Sequence, residues 1–337
     1  VVTGMGIISS IGNDVEEVTS SLKNLSSGIT LNETNKGMGL RSHISGDIKN
    51  INLKECIDRK SYRFMGEAAA FAYLSADQAI KDSDLSEEII SDTKTGLIMG
   101  SGGASSKDQI ESADILRNKG IKRIGPYRVT RAMGSTVSAC LSTMLKIKGV
   151  NYSISSACST SAHCIGVGME QIILGKQKVM IVGGAEAEHW GMTSLFDAMG
   201  ALSTKYNDKP EESSRAFDSD RDGFVIAAGG GCLVLEELEH VMFEPVVDRA
   251  AGEHVATAPF GSRVVRPLAF VRARKHLHVP LDRLVGTKPK HARVDEPLGV
   301  VENIIVDQVL VDVARVDPER HDRVLRRLPM PRAVRVP

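Results

Sequence analysis

The sequence has no apolar run of the length a bilayer requires and no signal-peptide pattern, so it reads as a cytoplasmic protein with no membrane association. It has no initiator methionine. Val1 already lies inside a strand-like run, and a few preceding residues are expected to be missing. Its cysteines are few. Cys56, Cys140, Cys158, Cys164 and Cys232 have neither disulfide nor metal-ligand spacing, and an odd number scattered through apolar segments suits a reducing compartment. A dinucleotide fingerprint is absent as well: Gly100 and Gly102 fit one, but Ser105 stands where the third glycine belongs. Glu186, Glu188 and His189 match no standard metal site and read as loop polarity. No metal and no cofactor are implied.

Net charge is also absent, at a formal value of zero, but this hides a division. Residues 1–240 carry 25 Lys+Arg and 30 Asp+Glu, whereas residues 241–337 carry 17 and 12. All five cysteines precede residue 241, and ten of the 12 prolines follow residue 240. The later segment holds a single serine, Ser262, and a single asparagine, Asn303, and there Arg replaces Lys as the commoner base.

What is present is enough for a large core. At 337 residues the chain has room for two domain-sized units, and its 42% hydrophobic and 25% charged content is ordinary for a globular protein. Strands read at Val1–Ile7, Thr95–Gly100 and Val179–Val182, the last ending at Gly183-Gly184. Phe224–Leu235 reads as strands around a glycine-rich bend. Helices read after a cap at Asn13 or Asp14, at Ala-rich Phe64–Ile80 and at Arg131–Lys148. Gly28–Asn50 reads as loop and hairpin. Strands alternating with helices indicate an α/β architecture.

The stretch richest in chemistry is Val150–Glu170. Val150–Ile154 reads as a buried strand, small residues follow, and a helical pattern begins straight after Cys158. A thiol there sits on a sharp strand-to-helix bend, where unpaired first-turn N–H groups favour a thiolate and a developing oxyanion. That makes Cys158 a candidate acyl-accepting nucleophile, the alternative being a small buried core thiol. His163, five residues on, points away from the thiol and reads as a packing residue.

The run S-I-S-S-A-C-S-T-S-A-H-C-I-G (residues 153–166) resembles the nucleophile segment of the β-ketoacyl-[acyl-carrier-protein] synthases, and more closely the type I than the type II enzymes. The likeness includes Val2–Ile7, Met99–Gly103, Phe196–Tyr206 and Asp220–Ala227, in the family's order, and covers residues 1–240. It implies the thiolase-like layered α/β fold, with residues 1–240 as its N-terminal half, and Cys-dependent condensation of an acyl thioester with malonyl-carrier in fatty acid biosynthesis. It also implies a homodimer, with acyl carrier protein as partner. Arg59, Lys60 and Arg63 fall where the family docks that acidic carrier, the alternative being a solvated helix start. Met133 falls at a position lining the acyl channel, the alternative being a core methionine.

Residues 241–337 do not carry the likeness. The family's two histidine motifs, which serve decarboxylation, are not found around His254, His276, His278, His291 or His321. Val264–Val279 is basic and punctuated by proline, and Val300–Val316 is rich in β-formers. The change in residue usage suggests a frameshifted or chimeric segment, and with it a fragment limited to the acylation half-reaction or to scaffolding. Bases interspersed with acids make this segment a poor nucleic-acid binder, and no nucleic-acid partner is expected.

Overall fold

Five strands build the central sheet of this computed structural model, which describes residues 1–103 and 105–243. In chain order the strands of the protein are β1 (Val2–Ser9), β2 (Thr30–Leu31), β3 (Ile44–Ser45), β4 (Thr95–Gly100), β5 (Asn151–Tyr152), β6 (Val179–Glu186) and β7 (Gly229–Glu236). The sheet runs β1-β7-β6-β4-β5, while β2 and β3 form a separate antiparallel pair. β7 is antiparallel to both of its neighbours, and β6, β4 and β5 are mutually parallel. The sheet is therefore mixed. Its parallel side is joined by helical crossovers, and β7, entering last, closes β6 against the first strand.

Side-chain alternation along the strands divides the core in two. Ile8, Leu97, Met99, Ile181 and Val234 point to one face. Val2, Ile98, Met180, Val182 and Leu235 point to the other. Because both faces are covered, the central strands read as near-continuous apolar runs rather than alternating ones. The first face receives helix Glu67–Ser83 and helix Thr136–Met144. Ala69, Ala70, Ala72, Ala76 and Ala79 are fully buried there, and their short side chains let the helix backbone lie close to the sheet. The second face receives helix Thr160–Ile173 through Cys164, Ile165, Val167 and Ile172.

Local chemistry explains several boundaries. Asp14 accepts a hydrogen bond from the Glu17 N–H at 2.8 Å and so starts helix Val15–Lys23. Val18 in that helix is buried and Leu22 is exposed. The loop and hairpin expected over residues 28–50 is β2 and β3, with a short helix, Glu33–Gly37, between them. The helix expected over Arg131–Lys148 is instead two, Arg128–Ala132 and Thr136–Met144. The chain is extended at Met133 between them.

The expected buried strand Val150–Ile154 is corrected to β5, a two-residue strand with both residues exposed. Among the described residues it lies at the sheet edge with β4 alone as a neighbour, so one row of its backbone groups faces away from β4. Apolar content could not separate an edge strand from a central one. Among the described residues no helix is long and apolar enough to cross a membrane. The readings at Val264–Val279, Val300–Val316 and the five histidines after residue 241 lie outside the described residues.

Candidate active site

The bend at Cys158 is built from its neighbours' backbones. Ala157 adopts a left-handed conformation, φ +51°, which a residue with a Cβ takes only at some cost. That turn reverses the chain between β5 and helix Thr160–Ile173 and leaves Cys158 exposed at its tip. Buried Thr160 braces it from inside: its hydroxyl accepts from the Ser156 N–H at 2.9 Å and donates to the Ala157 carbonyl at 2.7 Å. No side chain caps the helix N-terminus, and at its start the Ser159 and Thr160 N–H groups donate to the Ser156 and Ala157 carbonyls, both at 3.2 Å.

His163 differs from expectation. It is an exposed residue whose Nδ1 lies 2.7 Å from the Ser156 hydroxyl, and so it belongs to the bend rather than to the core. The left-handed turn brings Ser156 back over the first helical turn, within reach of His163.

Three of the other thiols are built differently. Cys140, Cys164 and Cys232 are buried, and burial pushes each thiol above its ordinary value, Cys232 to about 12. Cys56 is exposed but lies in the short helix Leu53–Cys56, away from any such bend.

Beneath the bend lie the ends of β4 and β6. A Cβ on Gly100 would sit 1.9 Å from the Ile154 carbonyl oxygen, so only glycine lets β4 run this close under the chain that leads to Cys158. The next turn, Ser101-Gly102-Gly103, is held by Glu186 at the end of β6. The Glu186 carboxylate accepts from the Ser101 hydroxyl at 2.8 Å and from the Gly102 N–H at 2.7 Å. Burial raises the affinity of this carboxyl for its proton, against hydrogen bonds from Ser101, Gly102 and Gly103. Glu186 is thus a structural carboxylate at a strand end, where the sequence had suggested loop polarity. Glu188 accepts from the Thr193 hydroxyl at 3.0 Å, and His189 caps helix Trp190–Met199 by accepting from the Gly191 N–H at 3.1 Å. Among the described residues there is no cluster of metal-ligating side chains.

Met133 is half buried, directly follows helix Arg128–Ala132 and is followed by Gly134, two residues before the start of helix Thr136–Met144. That helix is tied to the strand leading to Cys158, because the Ser153 hydroxyl donates to the Met99 carbonyl and lies 2.9 Å from the Ser138 hydroxyl. On the other side, Asp108, 1% exposed, holds the preceding helix in place. Its Oδ1 meets Arg128 at 2.9 Å and Arg131 at 2.7 Å, and the Ser105 hydroxyl lies 2.8 Å from its Oδ2. This hub went unseen in the sequence, where isolated acids and bases carry no sign of which of them are buried.

Arg59, Lys60 and Arg63 form one exposed basic patch on and beside the short helix Arg59–Tyr62, which Asp58 caps. Arg63 donates to the Tyr127 hydroxyl at 3.0 Å and lies near its ring, and Phe64 packs edge-on against the same ring. None of the three bases has a salt bridge among the described residues.

Comparison with known proteins agrees with this geometry. A family described as "Beta-ketoacyl synthase, N-terminal domain" matches residues 1–241. The 3-oxoacyl-[acyl-carrier-protein] synthase 1 of Haemophilus influenzae is 48% identical over 318 residues, covering 92% of this chain and 78% of that protein. Its namesake from Escherichia coli is 54% identical over 294 residues, covering 84% and 72%. Both alignments necessarily extend beyond residue 241, where the family match stops. Among solved structures, a β-ketoacyl synthase from Burkholderia phymatum superposes with a TM-score of 0.66 at 29% identity, covering 72% of this chain. A type II polyketide ketosynthase in complex with its acyl-carrier protein gives 0.62 at 27%, also over 72%. The chain spans less than two thirds of the length of these solved structures, 59% and 58%. The mixed sheet with helices on both faces is that of the thiolase-like fold expected from the resemblance. The chain belongs to the β-ketoacyl synthase family.

Proposed function

We propose that the protein is a 3-oxoacyl-[acyl-carrier-protein] synthase of fatty acid biosynthesis and that Cys158 is its nucleophile. The Cys158 sulfur attacks the carbonyl of an acyl-carrier thioester. A new C–S bond forms at Cys158, the carrier's C–S bond breaks, and the proton lost by Cys158 ends on the carrier thiol. The acyl group then passes to malonyl-carrier: carbon dioxide leaves, a C–C bond forms, and Cys158 regains a proton as 3-oxoacyl-carrier departs. The observation that carries this reading is the exposed thiol behind a left-handed residue at an uncapped helix N-terminus, where backbone N–H groups are available to a developing oxyanion.

The same reading assigns the other candidates. Arg59, Lys60 and Arg63 attract the acidic carrier, supported by their exposure on one patch and by Tyr127, which orients Arg63. Met133 faces the acyl chain, supported by its position between two helices pinned from opposite sides. The protein acts in the cytoplasm as a homodimer. The open edge of β5 and the exposed apolar residues Val129, Ile121 and Leu195 are compatible with a second subunit.

The test is intact-mass analysis of the full chain after exposure to an acyl thioester, followed by malonyl-carrier. One acyl group is expected on Cys158, and none on a Cys158→Ala variant that folds as wild type, because the thiol is exposed. Label on another cysteine, or unchanged acylation in the variant, sinks the assignment. Release of 3-oxoacyl-carrier on adding the second substrate tests the condensation separately.

A further inference from the structure

The mechanism above gives no task to Glu186, the mostly buried carboxylate 28 residues beyond the nucleophile, which carries no salt bridge among the described residues. A carboxylate in such surroundings is unfavourable unless something holds it there. What it holds is the Ser101-Gly102-Gly103 turn, through the Ser101 hydroxyl at 2.8 Å and the Gly102 N–H at 2.7 Å. That turn in turn touches the nucleophile bend. A Cβ on Gly102 would lie 3.0 Å from the Glu186 carboxylate on one side and 3.0 Å from the Ala157 carbonyl oxygen on the other. The Ser155 hydroxyl also reaches the Gly102 carbonyl, at 3.4 Å. Ala157 is the left-handed residue directly before Cys158.

We propose that Glu186 is a positioning residue for the nucleophile: by clamping Gly102 against the Ala157 carbonyl, it fixes the peptide that joins Ala157 to Cys158. Resting on the reading of Cys158 as the acyl acceptor, the proposal concerns orientation and not the chemistry of the thiol. The Cys158 N–H belongs to that peptide. A tilt there moves the donor relative to the thioester oxygen while leaving the sulfur exposed. Transfer of an acyl group depends on both. Alkylation by iodoacetamide, in which sulfur displaces iodide and no oxyanion forms, depends on the sulfur alone.

Full-length wild type, Glu186→Ala, Glu186→Gln and Ser101→Ala are compared in single-turnover acylation by octanoyl-coenzyme A and in alkylation by iodoacetamide. Glu186→Ala is expected to slow saturating acylation by about 100-fold, the scale of a small misplacement at a reacting centre. Its half-saturating thioester concentration and its alkylation rate stay close to wild type. Glu186→Gln, whose amide oxygen still accepts from Gly102, recovers most of the rate. Ser101→Ala, which removes one donor and leaves the clamp in place, slows acylation by about threefold to tenfold and keeps a readout if Glu186→Ala fails to fold. Acylation within twofold of wild type in Glu186→Ala overturns the proposal. So do a Gln variant as slow as Ala and an equal loss of alkylation. If wild type takes no acyl group on Cys158, the reading of the site falls and the clamp with it. Failure confined to the Glu186 and Ser101 variants leaves that reading standing.

Discussion

Helices Glu67–Ser83 and Thr160–Ile173 cover opposite faces of one sheet, and they are built to different ends. The first is wrapped. Seven of its apolar residues, Ala68 to Ala72 with Ala76 and Ala79, are buried among strands and neighbouring helices. The second is half bare. Cys164 and Gly168 face the sheet and are buried, while Met169, Ile173 and the following Leu174 are 51, 71 and 64% exposed. One helix anchors the sheet. The other carries Cys158, the proposed nucleophile, just before its N-terminus and presents an apolar outer side. Rigidity is thus concentrated under the site, while the element that bears the thiol owes its order to one face of contacts and to the braced turn at its start.

Mutations on the two sides separate these roles, and Cys158→Ala is the extreme case, a total loss of acylation with the melting transition unchanged. Next in size, Leu97→Ala on the wrapped face removes a side chain with no exposed surface and is expected to cost about 2–5 kcal/mol, read by urea unfolding. Reversing charge on the basic patch, Lys60→Glu with Arg63→Glu, is expected to raise the half-saturating concentration of an acyl-carrier substrate about tenfold. It leaves an acyl-coenzyme A substrate unaffected, and the gap should shrink as salt is added.

A smaller effect is one of pH. Burial raises the Glu186 carboxyl above its ordinary 4.5, so between that value and its folded one the folded protein binds a proton that the unfolded chain has released. The stability tied to this group is complete below about pH 4.5 and is lost as pH rises through the folded value. Glu186→Gln is therefore expected to gain on wild type with rising pH across that window in urea midpoints, and to hold a constant lead above it. A lead that shrinks with rising pH would contradict the sign. Ile173→Ser, on the bare side, is expected to change stability within about 0.5 kcal/mol, and a larger loss would mean that this side is covered in solution.

The sequence made the elements with strong period or punctuation legible. The first helix, capped by Asp14 where the sequence allowed Asn13 or Asp14, the Ala-rich helix and β4 came out close to their observed bounds, because capping, helical spacing and short apolar runs are local signals. The sharp bend at Cys158 was legible for the same reason, from small residues leading into a helix, although the strand before it is far shorter than the apolar run suggested. What did not come through depends on partners far along the chain. Val150–Ile154 looked buried because its residues are apolar, yet only the sheet order places it at an edge. Glu186 looked like loop polarity because its partners, Ser101 and Gly102, lie 85 and 84 residues away. The break at Met133 had no proline to announce it. Gly134 follows it, and Asp108, which ties Arg128 and Arg131 on the preceding helix, lies far back in the chain.

The seam between β1 and β7 has a consequence for how the protein is made. Val2 pairs with Leu235, and the Thr3 hydroxyl donates to the Glu236 carboxylate 2.5 Å away, across 233 positions. During synthesis the first strand can meet helix Glu67–Ser83 early, but it has no strand partner until nearly the whole described region has left the ribosome. Contacts of such long sequence separation slow folding, because a large loop must close before it is rewarded. The growing chain meanwhile carries an unpaired strand, a state prone to wrong pairing. A chain ending before Gly229 would leave β1 without its strand partner and β6 with an open edge, so the last of the described strands to emerge is the one that licenses the sheet.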